Sequence, residues 1–428
     1  MKKLTLNGAA LDMTASDISK YRDILENTFP HHKVSKLSQG HRLRQLWTRE
    51  DWLADIELLT LAHAIETMST VDKRWTKKHI DKIVGKDANE LIGSIFELHC
   101  ATMLFDAELK PIPGKNNSPG YDLELVYPDS FKNFVSLKNH DLSSFETEFR
   151  KKCRRFKESM ESIFELKGEH PFVMIEASRL PNEDDWSALE KHLAGISTLG
   201  EDFVIEQPRE GIAIGYNLLR PKPGTTFAAK PISSQLMVKS KFHDNEQNNF
   251  VSKLEKAAHN MRDKLNRQEK ASNIVCMRVN PTASVEYLEL FAKEFLESEH
   301  DHGIDGVIFY QPSVIRNPDN SSVVSHYTRV IGSSRWDQSK HPINFRPFIG
   351  VPGRGPSRLV MQGDGKSLLE NIEAYFFQEG DYYQQFQLQE GTQNLSNPAP
   401  GIRSHLAIGD GSALSGKLFA KQEDLLLL

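Results

Sequence analysis

Cysteine is scarce in this chain of 428 residues: Cys100, Cys153 and Cys276 lie far apart, without the close spacing of a zinc site or a dithiol motif. They read as reduced core residues, and a disulfide framework is excluded. Long hydrophobic runs are missing too. No stretch approaches the length that spans a bilayer, the opening MKKLTLNGAALDMTASD holds no sustained apolar segment, and the terminal LLLL is too short for an anchor. A cytoplasmic protein with no membrane partner is the expectation. Positive charge is not in excess: 53 Lys and Arg against 58 Asp and Glu leave a formal charge of −5. Any nucleic-acid contact must therefore come from local clusters rather than a global field.

Several catalytic signatures are absent as well. The serine-hydrolase elbow G-x-S-x-G does not occur. Gly363 to Ser367 (GDGKS) ends like a phosphate-binding loop before an apolar segment, LLENIEAYFF, that reads as a helix, but Val360 stands where the leading glycine is required. Nucleotide hydrolysis by that route loses ground. The neighbouring GVPGRGPSR mixes its glycines with prolines and reads as a flexible basic loop. No internal repeat is evident.

What is present is an ordinary globular composition, 39% hydrophobic and 26% charged, in a chain long enough for two or three domains. The first 85 residues carry helical patterns, with Ser16 ahead of DISKYRDILENTF and a long apolar-periodic segment from Arg49 to Met68. His31, His32 and His41 with Lys33, Lys36, Arg42, Arg44 and Arg49 form a basic patch, which a solvated linker explains equally well. Beyond Ser178, PNEDDWSALEKHLAGI reads as a capped helix and GIAIGYNLLRPKPGTTFAAKP as irregular. Residues 245–312 then alternate helix, strand, helix, strand. Periodicity leaves open whether they form a second domain or extend an earlier sheet.

The most informative stretch runs from Glu90 to Ser178. ANELIGSIFELHCATMLFDAEL has the apolar spacing of a largely buried helix, interrupted by Glu97. After a Pro- and Gly-rich loop, Tyr121 to Tyr127 alternates as a strand with Asp122 and Glu124 on one face. Phe134 to Asn139 alternates again, so Phe134, Ser136 and Lys138 share a face. Asp141, Ser143 and Ser144 are N-cap types ahead of an amphipathic helix at 145–167, whose outer face carries Lys151, Arg154 and Arg155, and PFVMIEAS follows as a strand. The order is αβββαβ.

That order, with Asp122 on the second strand, Lys138 on the third and Glu97 on the first helix, resembles the restriction-endonuclease-like, PD-(D/E)XK, nuclease superfamily. The resemblance covers residues 90 to 178 and rests on a short motif. It implies an αβββαβ nuclease core at 86–235, and with the patterns on either side the expectation is an α/β fold in which a helical N-terminal region at 1–85 and an additional C-terminal α/β region at 236–428 flank that core. It further implies that Asp122 and Glu97 bind Mg²⁺, with Mn²⁺ as a substitute, and that Lys138 positions or activates the attacking water; the neighbouring Leu137 carbonyl is expected to complete the shell. The expected activity is endonucleolytic cleavage of DNA in restriction or defence against foreign DNA. Lys151, Arg154 and Arg155 would contact the DNA backbone, and a homodimer or a partner protein of a defence system would complete the assembly.

The chain departs from the family pattern at Ser136, where the second acid should stand. A hydroxyl brings no charge, so Glu97 must replace that acid, or the protein is an inactive nuclease fold that binds nucleic acid or assembles with partners. A strand with Asp followed by a strand with Lys is commonplace, and a mixture of Glu146, Glu148, Glu158 and Glu161 with the basic residues of helix 145–167 also describes an ordinary solvated face. A third alternative, a metal site in Glu299, His300, Asp301, His302 and Asp305, competes with a polar turn joining helix to strand.

Overall fold

The computed structural model describes residues 13–105, 109–114, 120–165, 167–200, 202, 204–218, 234–264, 270–280, 285–298, 302–316, 322–333, 336, 338–352, 360–363, 366–367, 374–379, 403–407, 413–417 and 425–428. Capping chemistry starts the N-terminal helices. The Thr14 hydroxyl accepts from the Asp17 N–H while the Asp17 carboxylate accepts from the Thr14 N–H, a reciprocal box that opens α1 (Ala15–Thr28). Short α2 (His31–Val34) and α3 (Arg42–Thr48) follow. Asp51 and Asp72 then cap α4 (Trp52–Val71) and α5 (Lys73–Ile83). α4 is buried on nearly every side and packs against α1, α5 and α6 (Ala88–Met103), as its apolar residues in every register require.

After α6, β1 (Ile112–Pro113), β2 (Leu123–Val126) and β3 (Lys132–His140) pair antiparallel in chain order. The chain then leaves this sheet. α7 (Ser144–Glu165), β4 (Pro171–Ala177), α8 (Glu183–Gly195), β5 (Val204–Arg209), β6 (Ile212–Leu218) and β7 (Gln235–Lys241) build a second α/β unit. α9 (Glu246–Lys264) carries the chain back to β8 (Ala271–Val279), which pairs parallel with β3 from Lys132↔Ala271 to His140↔Val279. α10 (Val285–Glu297) crosses over to β9 (Gly306–Arg316), parallel to β8, and β10 (Ser322–Gly332) and β11 (Val351–Pro352) complete the order β1-β2-β3-β8-β9-β10-β11. Of the remaining strands, β12 (Val360–Gly363), β13 (Lys366–Ser367), β15 (Arg403–Ala407) and β16 (Ala413–Lys417) form a small sheet, and β14 (Ala374–Glu379) edges the second sheet, β14-β7-β4-β6-β5.

The structure departs from the sequence expectations at three places. Of the helix and strand expected to complete the αβββαβ run, 145–167 packs on the second sheet and PFVMIEAS is a strand of it, so α9 and β8 take their places beside β3, and a core confined to 86–235 omits a strand hydrogen-bonded to β3. Both helices are amphipathic and both strands apolar; nearness in sequence favoured the wrong pair, and only long-range pairing separates them. The apolar segment after Ser367 is not a helix where it is described, since β14 pairs antiparallel with β7, and its aromatic run Tyr375 to Phe377 suits a strand. GIAIGYNLL, read as irregular, supplies β6, whose inward residues Ile212, Ile214, Tyr216 and Leu218 are buried.

The central strands are buried on both faces, as layers of helix on each side of the parallel centre (β3, β8, β9) of this mixed sheet demand. Val135, Leu137, Ile274, Cys276, Ile308 and Tyr310 pack toward the N-terminal helices. Phe134, Val275, Met277, Val307 and Phe309 pack toward α9 and α10. The three cysteines are free and buried, as expected, with Cys100 and Cys276 Sγ atoms 3.9 Å apart. No helix among the described residues is long and apolar enough to cross a membrane.

Leu425, Leu427 and Leu428 join the core under the N-terminal helices, a place that composition alone did not disclose. Their segment is held by charge. Glu57, fully buried on α4, accepts the backbone N–H groups of Leu426, Leu427 and Leu428 at 3.0, 2.5 and 3.0 Å, and Arg42 and Arg278 donate to the Leu426 and Leu428 carbonyl oxygens. Burial raises the Glu57 pKa and the three amides pull it back. Glu57→Leu strands these donors, and at about 1–3 kcal/mol per buried unsatisfied donor it should lower unfolding stability in urea by ~3 kcal/mol or more, with Glu57→Gln costing less.

Candidate active site

The register of β2 on β3 places Leu123 opposite Val135, so Asp122, one residue ahead of the ladder, sits beside Ser136. Its N–H still bonds the Val135 carbonyl at 2.9 Å, which ties its backbone to the sheet. The Asp122 carboxylate is then fixed from β3: Oδ2 accepts the Leu137 N–H at 2.6 Å and the Ser136 hydroxyl at 3.4 Å. Lys138 Nζ lies 3.8 Å from the same oxygen and donates to the Leu137 carbonyl at 3.1 Å. Every one of these contacts falls on Oδ2, leaving Oδ1 without a hydrogen bond among the described residues. Asp122 and Lys138 keep 31% and 30% of their side-chain surface, so small molecules in solvent reach both.

Glu97 arrives from α6. Burial, and then the Asp122 charge, push its carboxyl up to about 7, against the pull of Lys82, Lys138 and Lys78. The acid, the second acid and the lysine expected from the sequence are thus within electrostatic reach of one another. Glu124, which alternation placed on the Asp122 face, is occupied elsewhere, 2.7 Å from Lys132 and bonded by the Tyr121 hydroxyl at 3.2 Å.

Sequence reasoning missed the neighbour on α5. His79 Nε2 stands 3.3 Å from Glu97 Oε2, and burial, with Lys82 and Lys78 nearby, holds its pKa down to about 3. It is a neutral imidazole. Its place on the buried stripe Thr76, His79, Ile83 was legible as helical spacing, but its meeting with Glu97 depends on how α5 packs on α6. At the far end of β3, Arg278 is buried and donates to Asn139 at 3.2 Å, with Asp141 at 3.5 Å, which braces the strand just past Lys138. A cavity of about 680 Å³ opens there, lined by Asn139, Asp141, Ser143, Phe145, Asn249 and Lys253.

Lys151, Arg154 and Arg155 are on α7, which packs on the second sheet. Lys151 is 3.5 Å from Glu148, and its neighbours Arg150, Lys152 and Lys157 pair with Glu146, Glu183 and Glu161. No hydrogen bond or ion pair joins Lys151 or Arg155 to Glu97, Asp122 or Lys138 among the described residues. Of the basic patch near the N-terminus, Arg42 and Arg44 donate to backbone carbonyls and Arg49 pairs with Asp51 at 2.6 Å. Glu299, His300 and Asp301 lie outside the described residues; His302 Nε2 and Ser298 Oγ are 2.6 Å apart, and Asp305 accepts the Asn273 N–H at 2.8 Å.

Among the described residues no three His, Cys, Asp or Glu side chains are grouped so as to hold a metal unaided. Two carboxylates are nonetheless the usual protein contribution at a Mg²⁺ site, where water and substrate phosphate fill the octahedron. The Glu97 carboxyl, raised first by burial and then by the Asp122 charge, fits that role as the second acid of the pair. No family model, curated protein or solved structure matches this chain.

Because the folded pKa of Glu97 lies above its ordinary 4.5, the fold disfavours the ionised form: stability is whole below 4.5 and falls as pH rises through about 7. Glu97→Gln escapes that loss. Urea denaturation should show the variant gaining on the order of 2 kcal/mol over wild type at pH 8 and nothing at pH 4. A gap that does not change with pH would show that the carboxyl is not held neutral.

Proposed function

We propose that the protein is a Mg²⁺-dependent endodeoxyribonuclease. The observation that carries the reading is the convergence of Asp122, Glu97 and Lys138 around the start of β2 and the second half of β3, with Lys138 Nζ 3.8 Å from Asp122 Oδ2. A further support is the run α6, β1, β2, β3, α9, β8, which repeats the αβββαβ order of restriction-endonuclease-like enzymes once the second unit is treated as an insertion between β3 and α9.

In this reading Asp122 and Glu97 would hold the divalent ion, which would supply charge neutralisation at the phosphate and a more acidic bound water. The Leu137 N–H and Ser136 hydroxyl orient the Asp122 carboxylate by occupying Oδ2. Lys138, steered by the Leu137 carbonyl, places its ammonium where a phosphodiester oxygen gains charge in the transition state. The Leu137 carbonyl serves Lys138 rather than standing open as a ligand. Neutral His79 braces Glu97 without adding charge. Action on foreign DNA, as a dimer or with a partner protein, is the setting that accompanies the proposal.

Ser136 in place of a second strand acid favours one other reading, a nuclease fold that binds nucleic acid without cutting it. Incubation of plasmid and linear phage DNA with Mg²⁺, Mn²⁺ or EDTA separates the two. Metal-dependent cutting should fall at least ~100-fold in Asp122→Ala and Lys138→Ala and only a few-fold in Ser136→Ala. Cutting retained in Asp122→Ala would remove the site assignment, and binding without cutting in wild type would favour the second reading. Independently of turnover, Mg²⁺ should raise the melting temperature of wild type at pH 8 and leave that of Asp122→Ala unchanged.

A further inference from the structure

The basic helix that flanks Glu97 is α5, and it differs from α7 in one physical respect. Lys73, Arg74, Lys77, Lys78 and Lys82 stand on α5 against a single acid, Asp81, in a chain whose net charge is −5. None of the five makes an ion pair among the described residues, whereas on α7 Arg150, Lys151, Lys152 and Lys157 all do. Lys73, Arg74, Lys77 and Lys78 are exposed and Lys82 is half-buried. Unmatched like charges repel along a helix, and nothing in the packing of α5 calls for them, because its buried stripe is Thr76, His79 and Ile83. Arg74, Lys78 and Lys82 follow one another at i, i+4 and so line one edge of the helix.

That edge adjoins the site. Lys82 and Lys78 are both felt by the Glu97 carboxyl and by His79, and the His79 Nε2 to Glu97 Oε2 approach of 3.3 Å fastens α5 to α6 at this level. We infer that α5 is the track that holds the phosphate backbone of the nucleic acid, delivering it to Asp122 and Lys138; this rests on the nuclease reading for the destination but not for the binding. A polyanion with regularly spaced phosphates is the ligand such a row fits, and each phosphate contact releases a counterion. The matched charges of α7 have far less to gain from the same contact.

The test measures binding by the full chain in EDTA, so cleavage is not involved. Fluorescence anisotropy with labelled duplex DNA, single-stranded DNA and RNA oligonucleotides is recorded across a salt series for wild type, for Arg74→Gln/Lys77→Gln/Lys78→Gln, and for Lys151→Gln/Arg154→Gln/Arg155→Gln. Both triple variants remove equal charge, so they separate a local track from bulk attraction. The α5 variant should bind at least tenfold more weakly and lose about three units of the slope of log K against log salt, with the α7 variant close to wild type. The strand type bound most tightly identifies the substrate.

Equal losses in both variants, a loss confined to the α7 variant, or no binding of any nucleic acid by wild type would each overturn the track. If α5-dependent binding is found while wild type cuts nothing with any metal, the track stands and the catalytic reading falls. Circular dichroism melting should be unchanged in both variants, since the altered α5 side chains are exposed.

Discussion

The parallel pairing of β3 with β8 is the constraint on which the rest of the molecule depends. Nine matched positions, Lys132 to His140 against Ala271 to Val279, hold β3 between helical layers and force its alternate residues into two different cores. A strand so confined has one register and no rotational freedom, because a one-residue slip would drive Ser136 and Lys138 into the apolar layer that holds Val135 and Leu137. The antiparallel pairing of β2 on the other edge then brings Asp122 to the Leu137 N–H. The site is a by-product of two registers meeting on one strand.

A parallel neighbour needs a crossover, and here the crossover contains a whole second unit before α9 completes it. The second unit begins beyond the end of β3, just past Asn139 and Asp141, where Arg278 pins the strand from β8. The same guanidinium reaches the Leu428 carbonyl, and Glu57 gathers the amides of that segment from α4. Buried charge therefore links the end of β3, the N-terminal helices and the last described residues, in a place where an unpaired ion would be strongly destabilising.

Electrostatics also distinguishes the two basic helices. On α7 cations and carboxylates alternate and compensate, the arrangement of a solvated face. On α5 the cations are unanswered within the helix and their field extends to Glu97 and His79. Similar numbers of Lys and Arg thus have different meanings, set by where the acids fall.

The sequence by itself determined the local grammar: the helix bearing Glu97, the alternation that puts Ser136 and Lys138 on one face, the capped helix before β5, the reduced thiols. These are legible because a helix or strand exposes its period in consecutive residues, and Glu97 and Lys138 fall on elements whose existence is local, with Asp122 one residue ahead of β2. Tertiary structure alone decided which helix and strand follow β3, that LLLL belongs to the core, and that YFF of β14 is an edge strand rather than a helix. It also decided that His79 meets Glu97 and that α5 rather than α7 lies beside it. Such choices rest on pairing between residues more than a hundred positions apart, or between surfaces of separate helices, and two amphipathic helices followed by two apolar strands carry the same periodic signal whichever pair the sheet accepts.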